Sequence, residues 1–313
     1  MSDAFPDDNA IWQAIDTASL AHTTKGNHKR RLRFLTQHVY NRRTKSPLLH
    51  LVSHPAYAIK AIEAHTDEAQ TRKTYTSSIL ACFKHLPQLK DAYPKEFDRW
   101  LAFERAEGAK ITEQYRSNQP TALQAAKAVD WHIVQNLPHQ MPRGSYERLM
   151  LALYTMVTPS RVDFSPCQVV RSEAERAECE RNGINCIKLD GKNPEICIAH
   201  HKTRASHGTI RKKIPQELCQ EIEDSLNAFP RSWLFAAADD CNKPWCKEYF
   251  RQRLSDAMQK WVGHKLGPST LRHSFISSID FNKTSLKQAE EYAQSMGHKL
   301  STLRKYHHLA TDD

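Results

Sequence analysis

Between Ile184 and Ile214 the apolar residues stop recurring at helical spacing and take up an extended pattern, a change that constrains the fold more than any other feature. Ile184 to Leu189 is β-prone and runs into Asp190-Gly191, a strong turn pair. Ile196 to His201 reads as a second strand, and Thr209 to Ile214, closed by Pro215, as a third. Short strands joined this way predict a small antiparallel sheet. The charged stretch RSEAERAECERNG ahead of them is open between helix and mobile loop.

Helical periodicity holds on both sides of that sheet. Upstream, Leu32, Leu35 and Val39 fall at helical spacing between Asn27 and Arg43, and Tyr75, Ile79 and Leu86 repeat the pattern between Thr71 and Leu86. A third amphipathic helix covers Pro94 to Ala109, with Phe97, Trp100, Leu101 and Phe103. YRSNQPT, Tyr115 to Thr121, is polar and carries a proline, so it reads as a linker. The domains expected are therefore 1–119 and 120–313. After the linker come helices bearing Ala126, Val129, Ile133 and Leu137, then Leu149, Leu153 and Met156, stopping at TPSR. Past Pro215, helices are expected at about Gln216 to Ala228, Trp245 to Trp261, Ser269 to Ile279 and Ser285 to Met296, the last with a Ser285 and Gln288 capping box. The fold class is mainly α with a small antiparallel β-sheet, an α+β architecture.

Charge narrows the partners. Forty-five Lys and Arg against 35 Asp and Glu leave a net charge of +10, which favours polyanions, nucleic acid first and an anionic membrane surface second. Two helices start on basic clusters, so Lys29, Arg30, Arg33, Arg72 and Lys73 are candidate DNA contacts. No run of eighteen apolar residues exists and the amino terminus is acidic, so a soluble, intracellular protein without membrane contact is expected. Eight cysteines show no CxxC spacing and no HExxH pair occurs, so no metal is expected and the thiols read as reduced. Nine glycines form no phosphate-binding loop, which argues against ATP; no cofactor is expected.

Four separated stretches carry the chemistry. TPSRVDF places Arg161 after a helix end, HHKTRASHG places Lys202 between the second and third strands, PSTLRHSF places Arg272 at a helix start, and MGHKLSTLRKY supplies His298 and Tyr306. Each has a plainer reading: a helix-dipole partner, a solvent lysine, a surface pair, a residue after a glycine cap, a packed tyrosine. Arg, Lys, Arg, His and Tyr in that order, on this element pattern, resemble the tyrosine recombinases, or phage-type integrases. The motifs cover about 120 to 313, and more weakly the first domain resembles their helical core-binding domain. The TPSR and MGH variants look most like the eukaryotic-transposon and large-virus branches.

The resemblance implies a site-specific recombinase or integrase that cuts and rejoins double-stranded DNA through a 3′-phosphotyrosine, as a tetramer on DNA and a monomer when free. It would lie in the cytoplasm of a prokaryote or in a nucleus. A type IB topoisomerase or telomere resolvase shares the active-site plan, and a domesticated DNA-binding protein without catalysis shares the fold. Phosphoryl transfer puts charge on non-bridging oxygens, which planar guanidinium groups match, and Arg161 and Arg272 take that role. A phenol with an ordinary pKa of ~10 needs cations around it to act as a nucleophile. By resemblance Tyr306 is that nucleophile, Lys202 protonates the leaving 5′ oxygen, and His298 hydrogen-bonds the phosphate. Lys212 and Lys213 are the lysines that could be mistaken for Lys202. Asp163 is a candidate acceptor orienting Arg161.

Three features depart from the family pattern. Ser269 stands where the family usually has His, and a hydroxyl cannot carry a proton as imidazolium does. The step from His298 to Tyr306 is one residue shorter than is common. Seven residues follow Tyr306, so contacts between subunits are expected to come from elsewhere than a long tail.

Overall fold

Four prolines decide where helices begin in the first part of the chain. Pro47, Pro55, Pro87 and Pro94 each occupy the first helical position, where the missing N–H costs nothing and φ is already helical. The structure, a computed structural model, describes residues 6–117, 120, 125, 126 and 128–307. The chain divides into two compact units, Met1–Ser117 and Asn118–Asp313.

The first unit is all helix among the described residues. Its elements are α1 (Asp8–Thr17), α2 (His22–Phe34) continued by a π turn (Leu35–Val39), α3 (Pro47–Ser53), α4 (Pro55–His65), α5 (Ala69–His85), α6 (Pro87–Ala92) and α7 (Pro94–Arg116). The Asp7 side chain caps α1. The next carboxylate, Asp8, reaches across to accept the Leu48 and Leu49 amides at 3.0 and 2.7 Å, closing the N-terminus of α3. Ile79, Cys82 and Phe83 of α5 share a core with Trp100 of α7, whose indole donates to the Val52 carbonyl at 2.9 Å. The linker read at Tyr115 to Thr121 needs correcting at its start. Helix α7 runs through Tyr115 and Arg116, because Ala109 to Arg116 contains no breaker and Arg116 pairs with Glu113 at 3.7 Å. Asn118, Gln119 and Thr121 lie outside the described residues.

In the second unit, α8 (Trp131–Gln140) and α9 (Tyr146–Thr155) are capped by Asp130 and Ser145 and bury Val134, Leu137, Leu149 and Leu153. Ala126 stands outside α8. The sheet follows: β1 (Cys167–Val170), β2 (Asn185–Lys188), β3 (Glu195–Ile198) and β4 (Ile210–Lys213), in that spatial order. Strands β2, β3 and β4 pair antiparallel, with Cys186 opposite Cys197 and Ile196 opposite Lys212. The expected antiparallel sheet is thus a mixed one, because β1 pairs parallel to β2. A parallel neighbour requires a crossover, and the charged stretch supplies it as helix α10 (Glu173–Arg181), closed by a Ser172 and Glu175 capping box.

A short helix α11 (Arg204–His207) lies between β3 and β4, followed by α12 (Gln216–Ala228), α13 (Lys247–Val262), α14 (Pro268–Ser277), α15 (Leu286–Ser295) and α16 (Leu300–Tyr306). The Ser285 and Gln288 capping box forms at the start of α15. The main core joins α8, α9, the sheet, α12 and α13 through residues such as Phe164, Ile187, Phe235 and Phe250. A smaller cluster of Ile276, Ala293, Met296 and Leu303 holds α14, α15 and α16 together. Each of the Ile, Leu, Met and Phe side chains contributes roughly 1.5–3 kcal/mol when fully buried. Among the described residues no helix is long and apolar enough to cross a membrane.

Candidate active site

Arg272 is the centre of the arrangement. It shares the buried side of α14 with Leu271 and Ile276 and is only 5% exposed. Its Nη2 donates to the Met296 carbonyl at 3.1 Å and lies 2.6 Å from Nε2 of His298. A guanidinium only donates, so Nε2 of His298 accepts and the ring proton sits on Nδ1. That Nδ1 is buried and finds no hydrogen-bond partner among the described residues. The result is a neutral imidazole with one N–H left over.

Electrostatics keeps it neutral. Burial first, then the charges of Arg272 and Arg161, with His207 and His273 behind them, push His298 down to about 3. Burial and the Arg161 charge bring Arg272 down to about 10, opposed by Tyr154, Asp163 and Tyr306, so it stays cationic at neutral pH.

His298 reaches this place through a turn that only glycine makes easily. Gly297, just past the end of α15, has φ +64°, and a Cβ there would sit 3.0 Å from Thr203 Oγ1 and 3.1 Å from Ile210 Cδ1. Thr203 also donates to the Gly297 carbonyl at 3.2 Å. The turn carrying Lys202 is thereby tied to the turn carrying His298. Lys202 itself is exposed, one residue from that tether.

Tyr306 is the last residue of α16 and is half-buried. Its ring centre lies 5.3 Å from that of His298, edge to face, and 4.6 Å from that of His273. Arg161 follows α9 on an irregular segment, half-exposed, and its charge registers at both Arg272 and His298. Tyr154 fixes the backbone there by donating its hydroxyl to the Arg161 carbonyl, and burial holds that phenol protonated. Neither Arg161 nor Arg272 forms an ion pair with a carboxylate among the described residues. The structure therefore gathers Arg161, Arg272, His298 and Tyr306, with Lys202 on the adjoining turn.

Two supporting candidates stand differently. Ser269 is exposed in the first turn of α14. Asp163 is buried but makes no ion pair with Arg161 among the described residues; its carbonyl accepts from Asn185 Nδ2 at 3.0 Å, and its negative charge acts on Arg272 and Lys212.

Lys212 is a residue that sequence reasoning did not select. It is 6% exposed and donates from Nζ to Thr158 O at 2.5 Å and Ser160 Oγ at 2.7 Å. Burial and the Arg272 charge bring it down to about 7, with Asp163 and Cys167 opposing. The signal was present, since Ile210, Lys212 and Ile214 alternate with Arg211 and Lys213, which puts Lys212 on the apolar face. His273, against the Tyr306 ring, was adjacent to a chosen residue but not chosen.

In the first unit the candidate DNA contacts are partly engaged. Lys29 pairs with Asp16 at 2.8 Å, Arg30 donates to Asn27 at 2.9 Å and Arg33 lies over the Trp12 ring at 5.7 Å. Lys73 pairs with Glu104 at 3.4 Å. Arg72 is committed to the buried Glu107 at 3.0 Å and to the Asp67 carbonyl. Among the described residues no group of three or more His, Cys, Asp or Glu side chains is arranged to hold a metal.

No protein-family model and no curated protein matches the chain. Among solved structures, a crystal structure of XerA recombinase overlaps it across 97% of this chain and 95% of that one, at 11% identity and a TM-score of 0.41.

Proposed function

We propose that this protein is a DNA strand transferase of the tyrosine-recombinase type, with Arg161, Lys202, Arg272, His298 and Tyr306 as its catalytic residues. The observation that carries the reading is the unpaired, buried Nδ1–H of His298 beside the Arg272 guanidinium and the Tyr306 ring. A buried donor without an acceptor is costly unless a ligand completes it. Cations without counter-carboxylates, a spare N–H and a phenol together suit a phosphodiester.

The step balances without an outside reagent. The Tyr306 Oη bonds to phosphorus as its proton passes to water, the bond to the 5′ oxygen breaks, and Lys202 gives that oxygen a proton. Arg161 and Arg272 hold the non-bridging oxygens and the His298 Nδ1–H donates a further bond. One ester replaces another, so the linkage energy is conserved for rejoining, and attack by a different 5′ hydroxyl exchanges strands. Four protomers on paired duplexes would carry out a complete exchange, and the helical first unit would grip the duplex.

Incubation with randomised duplex DNA should yield an adduct that survives SDS, and Tyr306→Phe should abolish it. An adduct that persists in Tyr306→Phe overturns the assignment. Relaxation of any supercoiled plasmid, independent of sequence, would place the same chemistry in a topoisomerase.

A further inference from the structure

Strand β4 breaks its own pattern where Lys212 turns inward between Ile210 and Ile214. A buried lysine is expensive unless something uses its donors. Here Thr158 O and Ser160 Oγ take two of them, and Nζ lies 5.5 Å from the centre of the Phe164 ring. All three partners belong to the segment between α9 and β1, the segment that carries Arg161. Helix α9 has already ended at Thr155 and Pro159 has no N–H, so this bend offers few bonds of its own. The charged and titratable groups around the amine are Arg272 from α14, Asp163 from the bend and Cys167 from β1. His207, Arg211, Lys213 and Glu291 line the recess that it borders. A neutral amine has two N–H groups, which match the two acceptors present.

We propose, resting on the reading of the site given above, that Lys212 is a positioning residue: it pins the Thr158–Ser160 bend to β4 and so aims Arg161 at the phosphate, while the leaving-group proton comes from elsewhere. Its effect is on geometry, where a misplacement of about 1 Å can cost about 100-fold in rate.

The test uses a duplex recovered from a randomised pool by SDS-resistant capture on the wild-type protein, then resynthesised with sulfur in place of the 5′ bridging oxygen at the cut. A thiolate leaves without a proton, so loss of the acid is repaired by sulfur and loss of alignment is not. Lys212→Met, close in volume, should slow single-turnover adduct formation by about 10- to 100-fold on both substrates, with half-saturation by DNA little changed. Ser160→Ala, which removes one anchor without a buried charge, should show the same pattern more weakly. Lys202→Ala should be slow on oxygen and restored on sulfur. Restoration of Lys212→Met by sulfur would make Lys212 the acid and overturn the proposal, as would wild-type rates in both Lys212→Met and Ser160→Ala. Failure of the wild-type protein itself to capture any duplex would instead overturn the strand-transfer reading, and the positioning role with it.

Discussion

At the scale of single residues, the site is governed by what burial does to ionisation. His298 is held at about 3 against an ordinary 6.5, so the folded protein binds fewer protons there than the unfolded chain between those values. The stability this neutral ring allows is complete above pH 6.5 and is lost as pH falls towards 3. In acid unfolding monitored by circular dichroism, the stability difference between wild type and His298→Gln should therefore change across that window, in the sense that the wild type loses more. Arg272→Lys keeps the charge but loses the planar guanidinium, whose Nη2 serves both Met296 O and His298 Nε2 and leaves its other N–H groups for a phosphate. Adduct formation should drop by about 100-fold or more, the loss expected when an oxyanion donor is removed.

At the scale of elements, turns and helix ends matter more than strands. Gly297→Ala must hold a Cβ at φ +64° and against Thr203 and Ile210, so it should cost about 1–2 kcal/mol in urea denaturation and slow adduct formation as the two turns separate. Glu107→Ala takes the buried carboxylate away from a half-buried Arg72 that keeps its bond to the Asp67 carbonyl, and should destabilise the first unit by about 1–3 kcal/mol in urea denaturation. What the sequence made legible at this scale follows from local signals. The Asp190-Gly191 turn, the Ser285 cap and the β-prone runs of the three later strands each depend on neighbours within a few residues. Strand β1 did not show itself, since four residues that pair through a helical crossover carry no local period. The widened turn at Leu35–Val39 was hidden because tertiary packing decides it, whereas the persistence of α7 through Arg116 was legible in a stretch from Ala109 to Arg116 that holds no breaker. The set Arg161, Lys202, Arg272, His298 and Tyr306 came from the resemblance of their order and motifs to a known family, since each residue alone has a plainer reading. The inward facing of Lys212 was legible in the alternation with Arg211 and Lys213, but its partners Thr158 and Ser160 were not, because they lie more than fifty residues away in the chain.

At the scale of the whole molecule, the excess of ten positive charges overstates what the first unit offers. Lys29, Arg72 and Lys73 face carboxylates there, whereas Arg161 and Arg272 in the second unit have no such company among the described residues. If duplex binding neutralises roughly six phosphates, affinity should fall about 1,000-fold between about 50 and 200 mM salt, measured by fluorescence anisotropy. An affinity indifferent to salt would count against nucleic acid as the partner. The guanidinium pair and the spare imidazole N–H have a further thermodynamic meaning. Like charges held this close repel one another, and an anion that neutralises them becomes a folding partner. If duplex DNA binds as proposed, at about 100 times its Kd the protein gains about 2.7 kcal/mol, so DNA should also act as the scaffold that keeps it from melting.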